Sequence, residues 1–403
     1  MNVGFVHPSY PSAEGEGAIH SASTIVAELA ARGHDVTVYP WERPPEGTDL
    51  ALDCTVRPLD TSGYPYHSAL QLDAALRERT GELADHDVVH SYVMHTIPAL
   101  ARVDTATVVT LNAYGAVCPK NDLRYMDREP CTSNGLAKCT ACSLATSGGH
   151  DADGPLYRSA SRLGYLKLVR ECGAAADRID GYHALSPHLA ETYADFGFPR
   201  ERLAVVPNIL DDRFDLAHTS EFEPPYDLLY VGSLAEHKGV DRLLPLLARL
   251  NRGEDGPFRL TAVGDGGRRT DLERKAEASG LGSQVAFTGW VDNAELPAIF
   301  AAHDAFVYPG QWDEPFGRVF LEALGTGTPV VASDVGSVAS IVGPGGVTTD
   351  GSAEALADAI LALVATDRLA DLSAAARDTV DRYRAETVVP QFVDLYERAR
   401  QRS

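Results

Sequence analysis

The sequence predicts an α/β protein built of two Rossmann-like domains. Three observations carry that reading. Short β-prone apolar segments alternate with helical patterns along nearly all of the 403 residues. A polar stretch at 211–225, with Asp211-Asp212 and Pro224-Pro225, divides the series in two and reads as a linker. No tandem repeat at a period of roughly 20–50 residues is present, so the halves resemble each other in architecture alone.

The elements follow in order. Residues 3–7 form a first strand, and a loop with Pro8, Pro11, Gly15 and Gly17 follows. Residues 20–32 show helical spacing, with Gly33 placed as a C-terminal cap, and DVTVY at 35–39 completes a strand–helix–strand unit. Residues 87–90, 107–111, 181–185 and 203–206 read as further buried parallel strands. In the second half, strands are predicted at 227–231, 258–263, 284–287, 305–308 and 330–332, with a helix at 353–365. The domains are therefore placed at 1–210 and 222–380. A last helix over 386–400 has apolar spacing at Val389, Phe392, Leu395 and Tyr396, and it requires Pro390 in its first turn.

Composition narrows the function. The balance of 35 basic against 57 acidic residues gives −22, which repels nucleic acid and anionic lipid. Such acidity with five lysines looks like a protein of a salt-loving organism. The start of the chain reads as a strand and not as a leader, and no run of about 18 apolar residues offers a membrane span. The expectation is a cytoplasmic protein.

The segment EPFGRVFLEALGTGTPVV, residues 314–331, carries the chemistry. Its spacing predicts a helix over 316–324, with Pro315 near the first position and Gly325 and Gly327 stopping it. The amides of Gly317, Arg318 and Val319 would then form an anion site at the strand ends. Glu322 lies among apolar residues, where a carboxylate needs hydrogen-bonding partners. Sugar hydroxyls would supply them; so would backbone or a neighbouring arginine.

Glu314 and Glu322, seven residues apart in this context, resemble the E-x7-E signature of family four retaining glycosyltransferases with the GT-B fold. Further matches run along the chain: Gly15-Glu16-Gly17, Gly33-His34-Asp35-Val36, His90, Val206-Pro207-Asn208, Val231-Gly232-Ser233-Leu234 with Lys238-Gly239, Val263-Gly264-Asp265-Gly266, and Phe287-Thr288-Gly289-Trp290-Val291. The resemblance implies two domains facing across a cleft, acceptor on the first and nucleotide sugar on the second. It also implies a C-terminal helix at 385–403 that crosses back to the first domain.

By that resemblance Glu322 would hold the nucleotide ribose and Glu314 the transferred sugar, beside Phe316. Lys238 would neutralise the diphosphate leaving group, so that the chemistry needs no metal. Trp290 and Val291 would lie at the base, Ser233 and Gly264 along the phosphates, Gly15 and Gly17 against a phosphate or sugar, and His90 would join Glu314 and Lys238 as a catalytic residue. Read on their own, Lys238 fits a surface lysine, Gly15 and Gly17 a flexible loop, His90 a core histidine and Asp265 a turn cap. Three positions depart from the pattern. Ser233 stands where arginine is common, with Arg318 or Arg242 as candidate substitutes. Asn112 stands where a histidine near the acceptor is usual, and Ser340 replaces a glutamate.

Cys118, Cys131, Cys139 and Cys142 fall within 25 residues. Structural zinc, free or redox-active thiols and disulfides all fit this spacing. Cys54 and Cys172 read as ordinary buried thiols. The function implied is retaining sugar transfer from a nucleotide-sugar donor to a glycan, lipid-linked or small-molecule acceptor; a lipid acceptor would bring the protein to a membrane surface. The rival readings are a donor-binding protein without turnover and an epimerase or phosphorylase on the same fold. A dinucleotide dehydrogenase is disfavoured, because the first loop lacks a compact G-x-G-x-x-G.

Overall fold

The computed structural model describes residues 1–11, 17–42, 54–60, 68–146, 155–253 and 257–403. The chain forms two compact units, Met1–Ile209 with Val388–Ser403, and Leu210–Thr387.

The first unit carries β1 (Asn2–His7), β2 (Asp35–Pro40), β3 (Thr55–Val56), β4 (Val88–Ser91), β5 (Ala106–Leu111), a small hairpin of β6 (Arg124–Tyr125) and β7 (Glu129–Pro130), β8 (Gly181–Ala184) and β9 (Leu203–Val205). Its main sheet runs β3-β2-β1-β4-β5-β8-β9, with every neighbouring pair parallel. The second unit carries β10 (Tyr226–Val231), β11 (Phe258–Val263), β12 (Val285–Gly289), β13 (Ala305–Tyr308), β14 (Val330–Ser333) and β15 (Gly346–Thr349). They run β12-β11-β10-β13-β14-β15, again all parallel.

Both orders start from a central strand, step outward one way, then return and step outward the other way. That is the Rossmann winding, and both units are Rossmann-like. Every residue of β4, β5, β8, β13 and β14 is buried, which is why these segments read as continuous apolar or small-residue runs. The order reverses beside β1 and β4 in one sheet and beside β10 and β13 in the other. Ligands of such sheets bind outside the carboxyl ends of the strands at that reversal.

Three features differ from expectation. The helix carrying Glu322 spans Arg318–Gly325, because Gly317 precedes it at φ 75°, a left-handed conformation that interrupts any helix from 316. Pro315 therefore lies ahead of the helix and not at its first position. Pro390 sits inside the last helix, Ala385–Arg400, beyond its first turn. Finally, β3, β15 and the β6–β7 hairpin were not anticipated.

The last helix closes the first unit. Tyr396 Oη lies 2.7 Å from His90 Nδ1, and the Phe392 ring stands edge-on to His183 at 4.7 Å. Among the described residues no helix is long and apolar enough to cross a membrane.

Candidate active site

The loops after β10 and β13 are neighbours because their strands pair in parallel. The first makes a short 3-10 turn, Glu236–Lys238, and leaves it through Gly239 at φ 70°. A Cβ at Gly239 would stand 1.8 Å from the Pro309 carbonyl oxygen, so this position requires glycine. That close approach sets Lys238 against the loop carrying Glu314.

One oxygen of Glu314 collects three donors. Lys238 Nζ donates to Oε2 at 2.8 Å, Tyr308 Oη at 2.6 Å and Trp312 Nε1 at 2.7 Å. The Glu314 side chain is 8% exposed and that of Lys238 21%. The ammonium also lies over two rings, 5.6 Å from the centroid of Tyr308 and 5.2 Å from that of Trp312. A cation so placed gains from the ring faces as well as from the carboxylate. The Glu314 carbonyl accepts from both the amide and the hydroxyl of Ser337, at 2.9 and 2.7 Å. Burial, with the Glu314 charge adding to it, holds the Tyr308 phenol well above its usual range, so it stays a donor. Burial lowers the neighbouring His237, and Lys238 lowers it further.

Gly317 packs against the same group: a Cβ there would meet the Phe320 ring at 2.5 Å and Glu314 Cγ at 3.2 Å. The helix begins next, so its first amides have no acceptor within the helix. One turn further on, Glu322 faces Arg318 Nε at 3.9 Å. Arg213, chelated by Asp211, also feels the Glu322 charge. The arginine partner weighed for Glu322 is thus present. Val319 is partly buried, and Phe316 is buried against Tyr383.

Around this centre, Ser233 is exposed and its carbonyl accepts from Tyr230 Oη at 2.9 Å. Arg242 donates to the Gly351 carbonyl at 2.7 Å, which ties up that candidate substitute. Gly264 donates to the Gly289 carbonyl at 2.9 Å, joining the ends of β11 and β12. Trp290 follows, 73% exposed, with Val291 half-buried beside it. Asp265 caps the Gly266 amide and pairs with Arg269.

Other candidates belong to the first unit. His90 is fully buried in the first unit, with Tyr396 on one ring nitrogen and Thr110 on the other. Burial, and then the charge of His183, pushes its pKa well down. Both of its ring nitrogens are thus engaged inside the first unit. Gly17 is the exposed first residue of the helix Gly17–Ala31, and Gly15 lies outside the described residues. Cys118, Cys131, Cys139 and Cys142 line one small cavity of the first unit.

Sequence reasoning missed Tyr308 and Trp312 as partners of Glu314. The signal was available: an aromatic closes β13, and an indole stands two residues before the glutamate.

A Rossmann-like unit with a lysine, a buried carboxylate and a helix start at its order reversal has its charged groups where open α/β sheets place their ligands. Residues 16–209 match the family described as "Glycosyl transferase 4-like domain", and 211–379 match "Glycosyl transferases group 1". A GDP-mannose-dependent alpha-(1-6)-phosphatidylinositol monomannoside mannosyltransferase of Mycobacterium tuberculosis is 30% identical over 275 residues, 62% of this chain and 68% of that protein. Glycogen synthase of the same species is 36% identical over 148 residues; that match spans 36% of this chain and 35% of the relative. Sucrose-phosphate synthase from Thermosynechococcus elongatus superposes with a TM-score of 0.72 at 19% identity over 100% of both chains. Anabaena HepE, in complex with UDP, gives 0.69 at 19% identity, covering 98% of this chain and 100% of that one. The fold is GT-B, and the chain belongs to the glycosyltransferases assembled from these two domains.

Proposed function

We propose that the protein transfers a sugar from a nucleoside-diphosphate sugar to a glycan, lipid-linked or small-molecule acceptor, with retention at the transferred carbon. The carrying observation is the pairing of Lys238 with Glu314 beyond the carboxyl ends of β10 and β13. Departure of a nucleoside diphosphate builds negative charge. A fixed ammonium and the first amides of the helix Arg318–Gly325 would stabilise that charge. Lys238 would then share its proton donors between Glu314 and the diphosphate, and the chemistry needs no metal ion.

Glu314 would face the sugar, Glu322 the ribose and Trp290 the base, with Ser233 and Gly264 beside the phosphates. Glu322 would exchange its long contact with Arg318 for ribose hydroxyls. The first unit would take the acceptor. In support, one relative is a GDP-mannose-dependent mannosyltransferase, and Anabaena HepE forms a complex with UDP-glucose.

The test is a panel of nucleotide sugars screened by thermal shift, followed by calorimetry on those that bind. Glu322→Ala should weaken donor binding about tenfold or more, the loss of a charged hydrogen-bond acceptor, while the fold survives. Unchanged donor affinity would remove the ribose role. Donor binding with no release of nucleoside diphosphate to any acceptor would instead favour a binding protein without turnover. Retention is read from the anomeric configuration of the product by NMR.

A further inference from the structure

We infer that Cys118, Cys131, Cys139 and Cys142 form a structural site for one thiophilic divalent metal ion, zinc. The argument starts from what the segment lacks. Between residues 120 and 145 the buried residues are Leu123, Cys139, Cys142 and Ser143, joined by the side chain of Lys120. The secondary structure there is a hairpin of two-residue strands and the helix Leu136–Ala145. That helix turns Cys139 and Cys142 inward and leaves Leu136 and Leu144 more than half exposed. One leucine is too small a core to hold some 25 residues in place, and excursions of this size are normally fixed by a cross-link or a metal.

The four cysteines surround one cavity of about 20 Å³, room for a single small occupant. One backbone group beside it already points at a sulfur: the amide of Met126 donates to Cys142 Sγ at 3.2 Å. Such an amide stabilises a metal-bound thiolate, whereas disulfide sulfur is a poor acceptor. The turn that delivers it is costly: Asn121, Leu123, Met126 and Asp127 all have φ between 50° and 61°.

Among the described residues no three His, Cys, Asp or Glu side chains already stand in a metal-binding arrangement. Cys131 Sγ turns to the Ser133 carbonyl at 3.3 Å and Cys118 Sγ to Asp122 Oδ1 at 3.8 Å. Binding therefore requires these two side chains to rotate about χ1 into the cavity and all four thiols to lose their protons, four protons being released for each zinc ion bound. Sulfur ligands and a closed tetrahedral set select zinc, which has no redox chemistry and acts here as a staple.

The test uses the full-length protein, expressed with zinc in the medium and purified under reducing conditions without chelator. Elemental analysis should find one zinc per chain, released when a mercurial reagent blocks the thiols. Cobalt in its place should give the charge-transfer absorption of a tetrahedral thiolate site. Cys139→Ser should lower the zinc content well below one, and Cys172→Ser should leave it unchanged, because Cys172 is buried elsewhere. Should Cys139→Ser fail to fold, the wild-type zinc content and cobalt spectrum decide. Metal-free protein that neither takes up zinc nor gives the cobalt spectrum would overturn the proposal. So would an intact mass two hydrogens lighter for each disulfide formed among the four.

Discussion

At the scale of single residues, the decisive feature is that three donors share one oxygen of Glu314. Lys238 is held by that carboxylate and by two ring faces, so its position is fixed before any ligand arrives. Preorganised charge of this kind lowers a barrier because little reorganisation is left for the reaction. Lys238→Ala should therefore cut nucleoside-diphosphate release by roughly a hundredfold or more, the scale seen when one aimed donor is lost. Its cost in stability should fall between the ~1 kcal/mol of a surface pair and the ~3–5 kcal/mol of a fully buried one. Tyr308 and Trp312 remain as donors, which keeps the carboxylate solvated and the fold intact. Urea unfolding and a donor-turnover assay separate the two effects. Undiminished turnover in a folded Lys238→Ala protein would take the lysine out of the chemistry.

At the scale of elements, most strands were legible because buried parallel strands must be apolar or small along their whole length, and 258–263 and 305–308 match to the residue. Short or polar edge pieces were not: β15 reads Gly-Val-Thr-Thr, a pattern shared by loops. The start of the Glu322 helix was misplaced for a conformational reason. Pro315 signalled a first turn, but the left-handed Gly317 resets the chain two residues later. The site residues were legible as types, while their pairing was not. Lys238 and Glu314 are 76 positions apart, and they meet because β10 and β13 pair and Gly239 lets their loops touch. Gly239→Ala tests that dependence. The new methyl collides with the Pro309 carbonyl and the residue is left at φ 70°, so a loss of about 1–3 kcal/mol is expected. Lys238 would be displaced with the loop, and turnover should fall together with stability. A variant of wild-type stability and rate would show that the two loops are held by other contacts.

At the scale of the whole molecule, the net charge of −22 and the buried histidines act on different variables. Salt screens carboxylate repulsion over about a Debye length, so the midpoint of thermal unfolding should rise with ionic strength. Measured in sodium chloride at constant pH, a falling midpoint would contradict that. Acid acts through the core. His7 and His183 are buried and their pKa values are lowered to about 4, with desolvation the main cause; His90 is lowered by burial and by His183. His90 and His183 both bond to the Thr110 hydroxyl, and its single proton can be donated to one of them only while that nitrogen is unprotonated. The unfolded chain takes up these protons near pH 6.5, and the folded chain resists them until about pH 4. A depressed folded pKa stabilises the protein above the unfolded value. Stability is therefore full above about pH 6.5 and drains away as the pH falls toward 4, by up to roughly 3 kcal/mol for each such histidine. Urea midpoints at pH 7.5, 6 and 5 should decline in that order at fixed ionic strength. The ring resonances of His7, His90 and His183 in the folded protein should meanwhile keep their neutral shifts through pH 5. Protonation of His183 near pH 6.5 without loss of structure would mean that the β4–β5–β8 core admits charge, and the acid sensitivity would then need another origin.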